Sequence, residues 1–225
     1  KNITERYDPA TNTWEMLASM SVARVGVATA VLNGKFYAIG GQDLITVEVY
    51  DPSTDSWSYV GSLPNTNYGG SAVAVAGKIY LFGGTSSPNQ VLSFDPSSNQ
   101  WSAKANMPTS RFSHKVVFFQ NRIWAISGND NGSASINVES YDLESDSWQT
   151  EASLNSPVNW GVAWVANGLL YIGGGHNGSQ HLSSISFYDP KLEKWLDAGQ
   201  FPEVKYASDS VVLNDKVYVI AGHNG

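Results

Sequence analysis

Tyr7-Asp8-Pro9-Ala10-Thr11-Asn12-Thr13-Trp14 decides the fold, because the chain keeps returning to it. It comes back as Tyr50-Asp51-Pro52 with Trp57, Phe94-Asp95-Pro96 with Trp101, Tyr141-Asp142-Leu143 with Trp148, and Tyr188-Asp189-Pro190 with Trp195. The aromatic-to-tryptophan gap is seven residues every time, and the tryptophans lie 43, 44, 47 and 47 residues apart. A second mark keeps the same step: Gly40-Gly41, Gly83-Gly84, Ser127-Gly128, Gly174-Gly175 and Ala221-Gly222. A fixed period in this range marks an array or a propeller.

Between the marks the local chemistry is that of strands and turns. Asp-Pro opens a turn and Asn12 suits it. Gly26 to Leu32 is small and apolar, Asn33-Gly34 follows, and Phe36 to Ile39 is apolar again. Asn-Gly between two apolar runs is a strong hairpin signal, since both central residues need positive φ. Each repeat therefore holds four strands: a (Gly26–Leu32), b (Phe36–Ile39), c (Thr46–Tyr50) and d (Trp57–Val60). Strand a is rich in Gly, Ala and Ser, as an innermost strand near an axis must be. Strand b is apolar on both faces, as a strand between neighbouring sheets must be. The Tyr/Phe and Trp rings, each able to bury roughly 150–250 Å², are expected to fill the space between units. No long segment shows a 3.6-residue apolar rhythm, so helix is not expected.

The double glycine closing strand b, the Tyr-Asp-Pro closing strand c and the tryptophan opening strand d resemble the Kelch repeat. The resemblance covers essentially the whole chain, with Ser127 and Ala221 in place of a first glycine and Leu143 in place of a proline. It implies an all-β, five-bladed β-propeller of four antiparallel strands per blade. The organisation is a half-repeat at 1–20, repeats at about 21–63, 64–107, 108–154 and 155–201, and a half-repeat at 202–225. From the second glycine to the aromatic of strand c the gaps are 9, 10, 13 and 13 residues, and the gap from Gly222 round to Tyr7 would be 10 if Gly225 adjoined Lys1. The termini are therefore expected to meet, with C-terminal strands a and b and N-terminal strands c and d sharing one blade and leaving no open sheet edge. A six-bladed ring short of one repeat is the alternative.

The totals exclude several classes. The chain has 225 residues and a net charge of -7, which argues against a nucleic-acid partner. No apolar run approaches 18 residues, so no membrane span is expected. There is no cysteine, hence no disulfide, thiolate metal site or cysteine nucleophile. The compartment stays open, with the cytoplasm favoured. No phosphate loop, G-x-S-x-G or His-Glu-x-x-His motif occurs, and the copper-radical oxidase propeller would need a cysteine cross-linked to tyrosine. His176, His181 and His223 recur in matching loops, yet their spacing is not diagnostic of a metal and Gly-His-Asn-Gly serves as turn chemistry. Neither cofactor nor metal is expected, and Asn-x-Ser/Thr triplets at Asn2, Asn131 and Asn177 matter only in a secreted chain.

Function is expected on the face shared by the b–c and d–a loops, because a–b and c–d turns are short or of fixed length while b–c loops vary. The resemblance implies that this face binds a partner protein or peptide, as in adaptors that present a Kelch domain to their substrates; a monomer is expected. The residue after each glycine pair reads Gln42, Thr85, Asn129, His176, His223, and the next reads Asp43, Ser86, Asp130, Asn177, Asn224. At the lead-in to strand a stand Arg24, Asn67, Arg111, Val158 and Lys205, then Val25, Tyr68, Phe112, Asn159 and Tyr206, then Gly26, Gly69, Ser113, Trp160 and Ala207. Rings beside amides and imidazoles suit a shallow protein-binding surface. The expected contacts are Arg24, Gln42, Asp43, Tyr68, Phe112, Asn129, Asp130, Asn159, Trp160, His176, Asn177, Tyr206, His223 and Asn224, although structural ties to loop carbonyls are the favoured role for Arg24 and Arg111. The rings could instead only plug the channel mouth. A sugar-type small-molecule site at that mouth, as in mutarotase-like relatives, and a purely structural or engineered ring are the other readings. Lys115 and Asp209 share a column of strand a and are candidates to pair across the channel.

Overall fold

A computed structural model describes residues 1–223, all strands and connections. β1 (Thr4–Asp8) and β2 (Thr13–Leu17) form a hairpin around the first Tyr-Asp-Pro turn. Four-stranded antiparallel sheets follow. The first holds β3 (Ala28–Leu32), β4 (Lys35–Ile39), β5 (Thr46–Asp51) and β6 (Ser56–Ser62). The second holds β7 (Ser71–Val75), β8 (Lys78–Phe82), β9 (Val91–Asp95) and β10 (Gln100–Lys104). The third holds β11 (Lys115–Phe119) and β12 (Arg122–Ile126); a loop carrying the small hairpin β13 (Asn129–Asp130) and β14 (Ser133–Ala134) leads on to β15 (Val138–Asp142) and β16 (Ser147–Thr150). The fourth holds β17 (Val162–Ala166), β18 (Leu169–Gly173), β19 (Ser184–Asp189) and β20 (Lys194–Gln200). β21 (Asp209–Leu213) and β22 (Lys216–Ile220) form a last hairpin. Each four-stranded sheet runs up and down in a, b, c, d order.

The turns are as their residues dictate. Asn33 and Gly34 take φ of 52° and 73°, and Ala76 and Gly77 take 51° and 73°. In the c–d turns the aspartate accepts the N–H two residues on, at 2.9 Å for Asp51 from Ser53 and 2.8 Å for Asp189 from Lys191. The aromatic hydroxyl then ties the far side of the turn: Tyr50 donates to Asp55 and Tyr7 to Asn12, both at 2.8 Å. With Lys35 and Ser53 donating to it, the Asp51 carboxyl falls to about 2.

The first strands lie side by side around an axis: β3 beside β7, β7 beside β11, β11 beside β17, β17 beside β21. Just before them the column Gly26, Gly69, Ser113, Trp160, Ala207 is left-handed throughout, with φ of 61°, 71°, 58°, 53° and 55°. That is why strand a begins at residue 28 and not 26: the left-handed residue turns its amide sideways. Gly69 N–H donates to Gly26 C=O at 2.9 Å, Ser113 to Gly69 at 2.6 Å, Trp160 to Ser113 at 2.9 Å and Ala207 to Trp160 at 2.9 Å.

The core lies between sheets, as expected. Tyr37, Ile39 and Val49 of the first pack with Ile79, Leu81 and Phe94 of the second. Trp57, Trp148 and Trp195 donate their indole N–H to the carbonyls of Ala18, Ala105 and Ala152 at 2.9, 2.9 and 2.8 Å, stitching each unit to the one before. Lys115 and Asp209 do meet, Nζ to Oδ1 at 3.1 Å.

The expected terminal blade differs. Among the described residues β1–β2 and β21–β22 are two separate two-stranded sheets. Tyr7 and Tyr218 meet with ring centroids 6.1 Å apart and planes tilted by 58°. Trp14, whose counterparts are covered by a preceding unit, is 53% exposed. The expected meeting of Gly225 with Lys1 lies outside the described residues.

Candidate functional site

The two columns singled out in the sequence come together in every unit through one backbone bond. The N–H of Gln42, Thr85, Asn129, His176 and His223 donates to the C=O of Val25, Tyr68, Phe112, Asn159 and Tyr206 at 2.8, 3.0, 2.8, 2.9 and 2.8 Å. The glycine pairs allow it. A Cβ on Gly83 would collide with the Arg111 carbonyl, and one on Gly175 with that of Asn159.

Three adjoining hollows result. One of about 370 Å³ holds Gln42, Asp43, Thr66, Tyr68, Thr85 and Ser86. A second of about 280 Å³ is lined by Phe112, Asn129, Asn159, Trp160, His176 and Tyr206, with Gly132 and Ala134 of the β13–β14 hairpin at its side. The third is the channel mouth, about 720 Å³, reached past Tyr68, Trp160, Tyr206 and His223 and walled by Ser113, His114, Lys115 and Asp209. Tyr68 and Trp160 meet edge to face over it at 5.6 Å, so the rings part-roof the channel as well as lining the face. His181, absent from the expected contacts, closes a ring cluster with His176 at 5.2 Å and Tyr206 at 5.0 Å. Burial, then Tyr68, pushes the Tyr206 hydroxyl up. Asp130 and Asn177 flank these hollows in the same loops, and Asn224 lies outside the described residues. Among the described residues no three His, Asp or Glu side chains converge as a metal ion requires.

Arg24 makes the ties to loop carbonyls favoured for it in the sequence, in place of a contact on the open face. Its side chain is withdrawn from solvent and spent on its own unit: it donates to Gly40 C=O at 2.5 Å, Thr46 C=O at 2.8 Å and Glu48 at 2.8 Å. Arg111 repeats the arrangement with Ser127 C=O, Asn137 C=O and Glu139 at 2.7, 3.0 and 2.9 Å, and Asn67 holds Gly83 C=O at 2.7 Å. These side chains are buried and brace the b–c loops from below. Burial pushes the Glu48 carboxyl up, but hydrogen bonds from Ser21 and Arg24 outweigh it and hold the group below its ordinary range. The sequence signal for this role was the glutamate on strand c in the same units that carry the arginine. Beneath the face His114 is fully buried with neither ring nitrogen hydrogen-bonded among the described residues.

Comparison with known proteins agrees with the repeat pattern. The family model for the KLHDC2/KLHL20/DRC7 Kelch-repeats domain matches residues 26–222, and the Kelch motif matches residues 2–21. Kelch-like protein 33 of Homo sapiens is 39% identical over 71 residues, 31% of this chain and 13% of that protein. Kelch-like protein 23 of Homo sapiens is 31% identical over 96 residues, 43% of this chain and 17% of that protein. The matches thus span less than a fifth of these relatives. The solved structure of YjhT superposes with a TM-score of 0.82 at 21% identity, covering 94% of this chain and 81% of that one, a likeness of fold. With a family model spanning most of its length and the Tyr-Asp-Pro, double-glycine and tryptophan marks in register, this chain belongs to the Kelch-repeat family.

Proposed function

We propose that the chain is a non-catalytic recognition module that binds a protein or peptide across the three hollows. The observation that supports this most is the recurrence of half-buried rings: Tyr68, Phe112 and Tyr206 are each set by a backbone bond beside the polar residue of a b–c loop, and Trp160 follows Asn159, which makes that bond with His176. Rings give large contact area at small entropic cost, and the neighbouring amides and imidazoles orient a ligand. The left-handed φ of 53° at Trp160 adds to the case. A bulky residue there is strained by roughly 1–2 kcal/mol, and such strain gathers at functional surfaces. The Kelch-like relatives make a substrate-presenting role in a larger adaptor a natural extension. The test is capture of partners by the wild type and by a Tyr68→Ala/Tyr206→Ala variant. Loss of the bound set is expected, and an unchanged set would put recognition elsewhere.

One observation favours a second reading. The channel mouth, at about 720 Å³, is of the size that holds small molecules, and the Lys115–Asp209 pair offers polar groups within it. A polar, sugar-type ligand there would be detected by its protection of the Lys115 and Asp209 region with the face variant still competent.

A further inference from the structure

Of the hollows on the face, the one of about 280 Å³ is sized for a single side chain. It lies below the range of about 300–1,000 Å³ that whole small molecules occupy. Phe112, Trp160, His176 and Tyr206 wall it with rings. These rings are held before any ligand arrives: Trp160 lies edge to face on Tyr68 at 5.6 Å, and Tyr206 lies against His176 at 6.2 Å and His181 at 5.0 Å. His176 Nδ1 accepts the N–H of Gly178 at 2.9 Å, so its imidazole keeps a lone pair there and brings a ring without a charge.

The same hollow offers oxygens that nothing in the chain satisfies. Ser113 and Asn159 both line it, and both are more than nine-tenths buried. Ser113 Oγ and Asn159 Oδ1 have no hydrogen-bond partner among the described residues. A buried acceptor left unpaired costs stability until a donor reaches it. Asn129 Oδ1, in the same wall, accepts Gly132 N–H at 2.8 Å and keeps a second lone pair. Charge points the same way. Cations at and under the face are paired with carboxylates: Arg24 with Glu48 at 2.8 Å, Arg111 with Glu139 at 2.9 Å, Lys115 with Asp209 at 3.1 Å and Lys205 with Glu203 at 2.7 Å. Asp43 and Asp130 have no ion pair among the described residues, and the whole chain carries a net charge of -7.

We propose that this hollow takes an arginine side chain of the partner, which names the class of peptide for the recognition role proposed above and rests on that role. A guanidinium is planar, carries N–H donors and no acceptor, and is weakly hydrated, so it suits a pocket of rings and unfilled oxygens. It stacks on the rings and donates to Ser113 Oγ and Asn159 Oδ1. Lysine brings a compact, strongly hydrated charge that gives up more water on entry. A carboxylate sets one acceptor against another at Asn159 Oδ1. Asp43 and Asp130 attract a basic segment to the face from a distance, which speeds the encounter more than it tightens the grip.

The chain with isotope-labelled indoles, its Trp160 signal assigned through Trp160→Phe, is titrated by NMR with a capped Gly-Ser-Arg-Ser-Gly peptide at millimolar concentration. The same peptide with citrulline or glutamate at its centre keeps the length and removes or reverses the charge. The arginine peptide should move the Trp160 signal saturably, with a Kd about tenfold or more below those of the other two. Asn159→Leu should raise that Kd about tenfold. Asn159→Asp, which puts a full negative charge where the unpaired oxygen stands, should lower it. A rise in both variants overturns the contact with Asn159, and the comparison of peptides on the wild type needs neither variant. No shift at Trp160, or equal binding of arginine and citrulline, overturns the assignment even where partner capture depends on Tyr68 and Tyr206. Capture indifferent to Tyr68 and Tyr206 overturns the recognition role on which it rests.

Discussion

Arg111 shows how much of this surface is decided by residues a partner never meets. Its guanidinium is fully buried and holds two loop carbonyls and Glu139. Removing one member of such a pair strands the other charge, so Arg111→Ala should cost about 3–5 kcal/mol, read from urea unfolding. The exposed Arg6–Glu15 pair should show no shift of the urea midpoint on Arg6→Ala. His114 gives a pH signature. Burial first, then Arg111 and Lys115, hold its pKa well below the ordinary value. The unfolded chain therefore binds a proton that the folded chain refuses. Stability should fall as pH drops below about 6.5, by at most ~1.4 kcal/mol per unit, and His114→Phe should flatten that slope in melts between pH 7 and pH 5. A slope unchanged by the substitution would contradict the assignment. The contact columns were legible in the sequence because they recur at a fixed offset from the glycine pair. The carbonyl ties of Arg24 were legible too, but the particular partners, Gly40, Thr46 and Glu48, were not, because only the fold brings them within reach.

At the scale of the element, the tryptophan opening strand d is a seam between units. Trp148 donates to Ala105 C=O, whereas the buried indole N–H of Trp101 has no partner among the described residues. Trp148→Phe should therefore cost about 1–3 kcal/mol, the penalty of an unpaired buried group, while Trp101→Phe should be neutral or stabilising. Equal losses in denaturant titrations would refute the distinction. The a–b hairpins offer a gain. Ala76 holds a φ of 51° that asparagine tolerates better, and Ala76→Asn should raise the melting temperature. Hairpins were readable because their turn chemistry is local. The β13–β14 hairpin carried the same signal in Asn131-Gly132, at φ of 49° and 93°, but no apolar runs flank it, so the pattern that marks the other hairpins is missing.

At the scale of the whole molecule, the repeat period foretold the sheets and their order but not the state of the terminal hairpins. Counting residues from Gly222 to Tyr7 measures reach along a chain. Among the described residues the terminal hairpins form two separate two-stranded sheets, and reach alone does not decide whether they pair. The working surface is less sensitive to this, since the hollows under Tyr68, Phe112, Trp160 and Tyr206 are built by the sheets between. The most direct measurement is an amide-exchange footprint of the chain with a captured partner. Recognition on this face predicts protection at residues 66–70, 111–114, 158–161, 176–181 and 205–207, with the c–d turns at 8–13, 51–56 and 95–100 unchanged. Protection confined to those turns would contradict it.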